Sequence, residues 1–290
     1  MEQQRMDLLY QKFCQEEFDK NGVLCKFRPV VPEDFNFAYD CVDYIARHQP
    51  DRRAMVWCDD LGHQRTFTFG DMSRYSNMTA NLLLQNGVKR GDMVMVILKR
   101  HYQFWFTILA LHKIGAVIIP ATNLLTKKDV VYRVNAARVS AIVCTADGEV
   151  SQAVEDGEPE FYGPVQKFLV HGGREGWLDF DRELESCSPA LERIPNKASD
   201  PMLLYFSSGT TGYPKMVIHD HSYAIAHIVT ARHWHNVVPD GLHLTVADTG
   251  WGKAVWGKLY GQWLCGAGVF VYDYTKFTPK DLLQKIQQYR

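Results

Sequence analysis

The residues best suited to chemistry lie in one short run, Tyr205-Phe206-Ser207-Ser208-Gly209-Thr210-Thr211-Gly212-Tyr213-Pro214-Lys215. An apolar strand enters it, and four hydroxyl residues and two glycines then precede a lysine. Glycines let backbone N–H groups approach an anion closely, and such a nest cradles phosphate oxygens. Serine and threonine hydroxyls add rotatable donors, and the lysine ammonium adds a point charge for β- and γ-phosphates. The order departs from a Walker A loop, which needs Gly-x-x-x-x-Gly-Lys-[Ser/Thr] followed by a helix. Here Pro214 precedes the lysine and Met216-Val217-Ile218 reads as a strand, so a turn between two strands is expected. An ordinary Gly/Thr-rich hairpin has the same composition, and composition alone does not separate the two readings.

A second group follows at Trp251-Gly252, with Trp256, Gly257 and Tyr260. Aromatic surface beside small residues suits a short apolar tail. The competing reading is that Trp256 and Tyr260, four apart on one helix, face the core; Lys253 and Lys258 are expected to be solvated. The histidine pairs His219/His221 and His233/His235 are spaced i, i+2, which on a helix points the rings apart. No third ligand has a fitting spacing, and no metal site is expected.

The elements that must position these residues follow from apolar patterning. Asp92 to Leu98, Ala116 to Ile119 and Ala141 to Cys144 are continuous apolar runs, as strands buried on both faces require. Helical stretches fall between them, at Tyr102 to Lys113 and Lys128 to Ala137. Strand, helix, strand, helix, strand is the order of a doubly wound α/β sheet. Earlier, Ala54–Trp57 and Arg65–Phe69 read as short strands joined at Asp59-Asp60-Leu61-Gly62, with a helix from Asp71 to Leu84. Residues 1–50 read as a helical lead-in, 51–180 as a first α/β subdomain and 181–290 as the start of a second. Residues 148–163 read as an acidic surface insertion and 181–200 as a loop. The last third alternates strands at Met202–Phe206, Met216–His219, Leu242–Ala247 and Val269–Tyr272 with helices near Tyr223–His233, Ala254–Leu264 and Pro279–Tyr289.

Composition excludes several classes. The 290 residues carry 32 basic and 33 acidic side chains, so no global charge favours nucleic acid or an anionic membrane. Seven cysteines, odd in number and without a Cys-x-x-Cys pair, argue against a disulfide framework or a zinc ribbon. The polar start, with no apolar stretch long enough for a signal peptide or membrane span, gives a cytoplasmic expectation.

Ser208-Gly209-Thr210-Thr211-Gly212-Tyr213-Pro214-Lys215 resembles the signature of the acyl- and aryl-adenylate-forming superfamily, which includes acyl-CoA synthetases, luciferases and peptide-synthetase adenylation domains. His221 falls where such enzymes usually carry a histidine. Gly91-Asp92 and Lys113-Ile114-Gly115-Ala116 look like the family's N-terminal subdomain. Asp248-Thr249-Gly250-Trp251 resembles a segment of the acetyl- and medium-chain acyl-CoA synthetase branch. The resemblance covers most of residues 35–290. It implies the parallel α/β sheets of the family's large N-terminal domain, with the second sheet incomplete.

By the same resemblance, a carboxylate would attack the α-phosphate of Mg·ATP, and the thiol of CoA would attack the resulting acyl-adenylate. Ser207, Ser208, Gly209, Thr210, Thr211, Gly212 and Lys215 would hold the ATP phosphates. Trp251, Gly252 and Trp256 would line the acyl pocket, and Asn123 and Leu124 would lie where CoA approaches. The acid would be short- to medium-chain, branched or aromatic. The family's adenine, ribose, hinge and C-terminal-domain elements are not found, so this chain alone is expected to be inactive. It would associate through an exposed sheet edge. The alternative is a truncated, non-catalytic module that binds a nucleotide or a partner.

Overall fold

The apolar runs of the sequence become the middle of a seven-stranded sheet. The computed structural model describes residues 8–208 and 212–289. The chain opens with a helical turn at Leu9–Lys12 and an antiparallel hairpin, β1 (Cys14–Phe18) and β2 (Leu24–Pro29). The Asp19 carboxylate accepts the backbone N–H of Asn21 and Val23, and Gly22 takes φ +79 to close the turn. This hairpin lies within the stretch 1–50 read as a helical lead-in with interspersed loops, and it replaces helix there. Its turn residues outweigh the surrounding helical periodicity. A π-helical segment (Ala38–Asp43) runs into α1 (Tyr44–His48), and β3 (Arg53–Asp59) and β4 (Gln64–Thr68) form a second hairpin.

Helix α2 (Phe69–Gln85) begins at a capping box. The Thr68 hydroxyl accepts the Asp71 N–H, and the Asp71 carboxylate accepts the Thr68 N–H. Then come β5 (Met93–Ile97), α3 (Gln103–Ile114), β6 (Val117–Pro120), α4 (Lys127–Ala137), β7 (Val139–Thr145), α5 (Val150–Gly157), β8 (Gln166–Val170), β9 (Leu178–Asp179) and α6 (Phe180–Glu185). The acidic stretch read as an insertion therefore carries α5, which buries Val150 and Val154 and turns its acidic residues outward. Likewise α6 occupies the start of the stretch read as loop. The chain continues through β10 (Pro201–Ser207), β11 (Lys215–Asp220), α7 (Ser222–Val229), a π-helical turn (Thr230–Trp234), β12 (Leu242–Leu244), α8 (Gly252–Gly257), α9 (Tyr260–Leu264), β13 (Gly268–Asp273) and α10 (Pro279–Gln288).

The large sheet has the order β11-β10-β6-β5-β7-β8-β9 and is parallel except for the edge strand β11. A four-stranded sheet has the order β12-β13-β3-β4. Residue 180 therefore does not separate the sheets. β10 and β11 extend the first through β6, while β3 and β4 join the second by pairing Met55 with Val269 and Trp57 with Val271. A two-stranded ribbon is marginal alone, and β3–β4 gains its stability by adding to β13.

Along β5 the side chains alternate between two cores. Val94 and Val96 join the main core, and Met95 and Ile97 join a second one under α4 and α5. All of α3 is buried, and the Trp105 indole donates to the Lys258 carbonyl at 3.1 Å. No helix among the described residues is long and apolar enough to cross a membrane.

Candidate functional site

β10 runs parallel to β6, so the loop it feeds emerges at the same sheet end as the loops after β5, β6, β7 and β8. Open α/β sheets bind their ligands at this carboxyl end. β10 and β11 pair antiparallel from Pro201–Asp220 to Ser207–Lys215, which makes the predicted strand–turn–strand real. Ser208, Gly212 and Lys215 are exposed, and Gly212 takes φ +94, a conformation that favours glycine. Gly209, Thr210 and Thr211 lie outside the described residues. One residue that the sequence reading did not single out, Tyr132, braces this segment. The Tyr132 ring of α4 stacks on Tyr213 at 5.0 Å, and its hydroxyl donates to the Pro214 carbonyl at 2.8 Å.

Ala247 to Gly252 forms the second wall. The Thr249 N–H and hydroxyl both donate to the Lys99 carbonyl, the N–H at 3.2 Å. The Asp248 carboxylate accepts from Arg100 Nη1 at 3.1 Å and from the Gly250 N–H at 2.9 Å. Arg100 is itself held over the Tyr274 ring at 3.9 Å and donates to the Tyr274 carbonyl. Lys258 Nζ donates to the Ala247 carbonyl at 2.5 Å. Lys258 is buried, which corrects its expected solvation. The expected helix over Ala254–Leu264 breaks there into α8 and α9, and this turns Lys258 inward. Burial, reinforced by Arg100, pushes its ammonium down to about 7.

Gly250 locks this segment to the loop after β6. A Cβ at Gly250 would lie 2.3 Å from the Thr122 nitrogen. The atoms it would meet there, of Ala121 and Thr122, are backbone and cannot give way. Gly250→Ala is expected to lower unfolding stability by about 1–3 kcal/mol through overpacking. Urea denaturation would read this, and an unchanged midpoint would show that the two backbones are not held together.

Gly252 lies against the Tyr205 ring, where an added Cβ would be 3.6 Å from Cζ, so the tryptophan segment abuts the strand that enters Ser207–Lys215. Trp251 itself is 65% exposed and is not part of the core. Trp256 stacks between His227 and His235, at ring distances of 6.0 and 5.5 Å. Tyr260 is fully buried and bonded to His112 at 2.7 Å, as the core reading expected. Asn123 and Leu124 sit in the loop after β6, with Leu124 80% exposed.

Histidine side chains line the inner side. Burial pushes His227 down to about 4, aided by His219 and His235, and neither ring nitrogen has a partner among the described residues. His221 follows β11 at the end away from Lys215, buried beside His112 at 5.8 Å, and burial pushes it down to about 4. Tyr132, Tyr205, His227, Arg100 and Lys258 come from five separate stretches of chain. No local motif marks them.

Comparison with known proteins fits this architecture. The model of the family described as AMP-binding enzyme matches residues 42–290. The chain is 31% identical over 271 residues to the mitochondrial acyl-coenzyme A synthetase ACSM3 of Pongo abelii, covering 91% of this chain and 46% of that protein. It is 34% identical over 267 residues to the mitochondrial acyl-coenzyme A synthetase ACSM4 of Rattus norvegicus, covering 89% and 46%. Among solved structures, an acyl-CoA synthetase of Brucella canis superposes with a TM-score of 0.78 at 24% identity, over 88% of this chain and 46% of the other. The anthranilate CoA ligase AuaEII gives 0.76 at 22% identity, over 89% and 49%. These two likenesses concern the fold. The chain spans about half the length of the curated relatives it matches. With Ser207 and Lys215 paired on antiparallel strands and the family model running through both sheets, the chain belongs to the AMP-binding enzyme family.

Proposed function

We propose that this chain supplies the phosphate-binding and part of the acyl-binding surface of an AMP-forming acyl-CoA ligase. In that reaction a carboxylate oxygen attacks the α-phosphate of Mg·ATP and pyrophosphate leaves. The CoA thiolate then attacks the acyl carbon and AMP leaves. The observation that carries this reading is the packing of Gly252 against Tyr205, on the strand that leads into Ser207–Lys215, at one sheet end. In this reading Ser207, Ser208, Gly209, Thr210, Thr211, Gly212 and Lys215 hold the β- and γ-phosphates. Positioning and electrostatic stabilisation suffice, and no covalent enzyme intermediate is needed. Magnesium arrives with ATP as part of the substrate.

Trp251, Gly252 and Trp256 flank the acyl group, and the ring surface of Tyr205, His227 and Trp256 favours a short, branched or aromatic acid over a long chain. Asn123 and Leu124 stand where CoA approaches. A cytoplasmic setting belongs to the same reading, supported by seven free cysteines, six of them buried.

The test is carboxylate-dependent ATP–pyrophosphate exchange by this chain joined to the C-terminal half of a curated relative. Lys215→Ala is expected to lower the exchange rate by about 10²–10³-fold. No exchange with acetate through octanoate, benzoate or branched acids would sink the proposal.

One observation favours a second reading, a non-catalytic partner-binding module. Edge strand β11 exposes Met216, Val217 and Ile218, and an open apolar edge invites strand addition. A concentration-dependent rise in sedimentation coefficient, abolished by Val217→Lys, would support it.

A further inference from the structure

Three neighbouring parallel strands of the large sheet, β5, β7 and β8, each deliver one metal-competent side chain just past their carboxyl ends: His101, Asp147 and His171. One ligand atom from each lies within 4.8 Å of the others, and His101 Nε2 is 3.6 Å from Asp147 Oδ2. Strand order reverses at β5, since β6 pairs on one side and β7 on the other. Crevices at such reversals are where open α/β sheets take ligands. The phosphate loop lies beyond β6 on the far side of β5, so this cluster is a different place on the same sheet end.

Outer contacts prepare the two imidazoles. His101 is buried, and its Nδ1 lies 2.6 Å from Asp273 Oδ2, which leaves Nε2 to face Asp147. A carboxylate on the far nitrogen is how metal-binding histidines are fixed in tautomer and orientation. Asp181 accepts the His171 backbone N–H at 2.8 Å and the Gln103 amide at 2.8 Å, and that amide lies 3.2 Å from His171 Nε2. Lys99 and His171 take φ +45 and +66, left-handed conformations that are uncommon away from glycine. Such conformations collect at functional sites.

Two groups now compete for the ligand atoms. Lys99 Nζ is bonded to Asp147 Oδ2 at 2.9 Å, and the Thr145 hydroxyl lies 2.8 Å from His101 Nε2. Both contacts can be released. The Lys99 ammonium is 3.8 Å from Asp273 Oδ1, a buried oxygen with no hydrogen-bond partner among the described residues. The Thr145 oxygen accepts the Asp147 N–H at 3.0 Å and stays in place, but rotation about its C–O bond turns its hydrogen away and frees the Nε2 lone pair. Ligand atoms on a tetrahedral zinc sit about 2.0–2.2 Å from the ion, so about 3.3–3.6 Å from one another. Small side-chain adjustments bring this cluster to that spacing.

We propose that His101, Asp147 and His171 form a binding site for a divalent metal ion of the zinc type, with the fourth position open to water. Two imidazoles and a carboxylate suit zinc, and three protein ligands leave one coordination position free. Asp147 is only partly buried and His171 is exposed, so the ion reaches the site from solvent.

The test is titration of the chelator-stripped chain with Zn²⁺ by calorimetry and with Co²⁺ by visible absorption. About one ion per chain is expected, with the intense absorption of four-coordinate cobalt. His171→Asn keeps a side chain that tolerates the left-handed backbone, and Asp147→Asn keeps the shape of the carboxylate. Each is expected to weaken binding by at least ~100-fold, beyond the effect of losing an outer-shell partner. Lys99→Met, which removes the competing ammonium, is expected to tighten it by roughly tenfold. Cys25→Ser, at the exposed thiol, is expected to change nothing. Far-UV circular dichroism checks each fold, and the two ligand variants are independent, so one that unfolds leaves the other decisive. No saturable binding of either ion overturns the proposal. So does binding that survives both ligand variants or that falls with Cys25→Ser.

Discussion

Replacing Lys258 by methionine is expected to stabilise the protein below about pH 7 and to destabilise it above about pH 10. The ammonium is fully buried, and its only hydrogen-bond acceptor among the described residues is the neutral Ala247 carbonyl. Burial lowers it from an ordinary value of 10.5 to about 7. Between those limits the unfolded chain binds a proton that the folded chain does not, so stability rises with pH across the window. Below the folded value both states are charged and the burial penalty is complete, at roughly 4–5 kcal/mol. Methionine removes that penalty but leaves the Ala247 carbonyl without its donor, at a cost of about 1–3 kcal/mol. The net gain is therefore roughly 1–4 kcal/mol at low pH, and it reverses where lysine is neutral in both states. Urea denaturation of both proteins across this range would show crossing stability curves. Parallel curves would mean that Lys258 stays charged in the fold. The same contact orients the turn leading to Trp251, which links this stability effect to the candidate acyl site.

Asp43→Ala is expected to cost about 3–5 kcal/mol, because it strands a buried ammonium. Lys113, on the all-buried helix α3, is fully covered; its Nζ donates to Asp43 Oδ1 at 2.8 Å and to Asn77 Oδ1 at 2.7 Å. Ser73 donates to the same Asp43 oxygen at 2.6 Å. Burial lowers the Lys113 ammonium and Asp43 partly restores it, so loss of the carboxylate leaves desolvation unopposed. The double variant Asp43→Ala/Lys113→Met is expected to recover most of the loss, since a pair removed whole leaves no bare charge. Additive losses in the double variant would show that the two groups act through separate packing and not through each other.

Much of the scaffold was legible in the chain. The runs at 93–97, 117–120 and 139–145 are apolar on both faces, and only strands buried between helices tolerate that. The caps at Thr68 and Thr126, each with aspartate three residues on, fix where α2 and α4 start through local hydrogen bonds. The turn between β10 and β11 was also readable, because its glycines and proline are neighbours in sequence between two apolar runs. Less legible were the β1–β2 hairpin, whose turn is set by the Asp19 carboxylate, and α5, whose acidic face hides a two-valine apolar stripe.

What the sequence determined by itself, then, is most of the set of elements and the strand–turn–strand form of one contiguous segment, since both rest on interactions between residues a few positions apart. Tertiary structure alone decided which sheet each strand joins. β3 pairs with β13 across more than 200 positions, and that choice depends on shared burial, which leaves no local mark. It also decided that Lys258 faces inward, that Gly250 meets the Thr122 backbone, and that His101, Asp147 and His171 share one point. The physical reason is common to all three. Side chains from distant segments meet only because parallel strands place successive loops at the same end of one sheet.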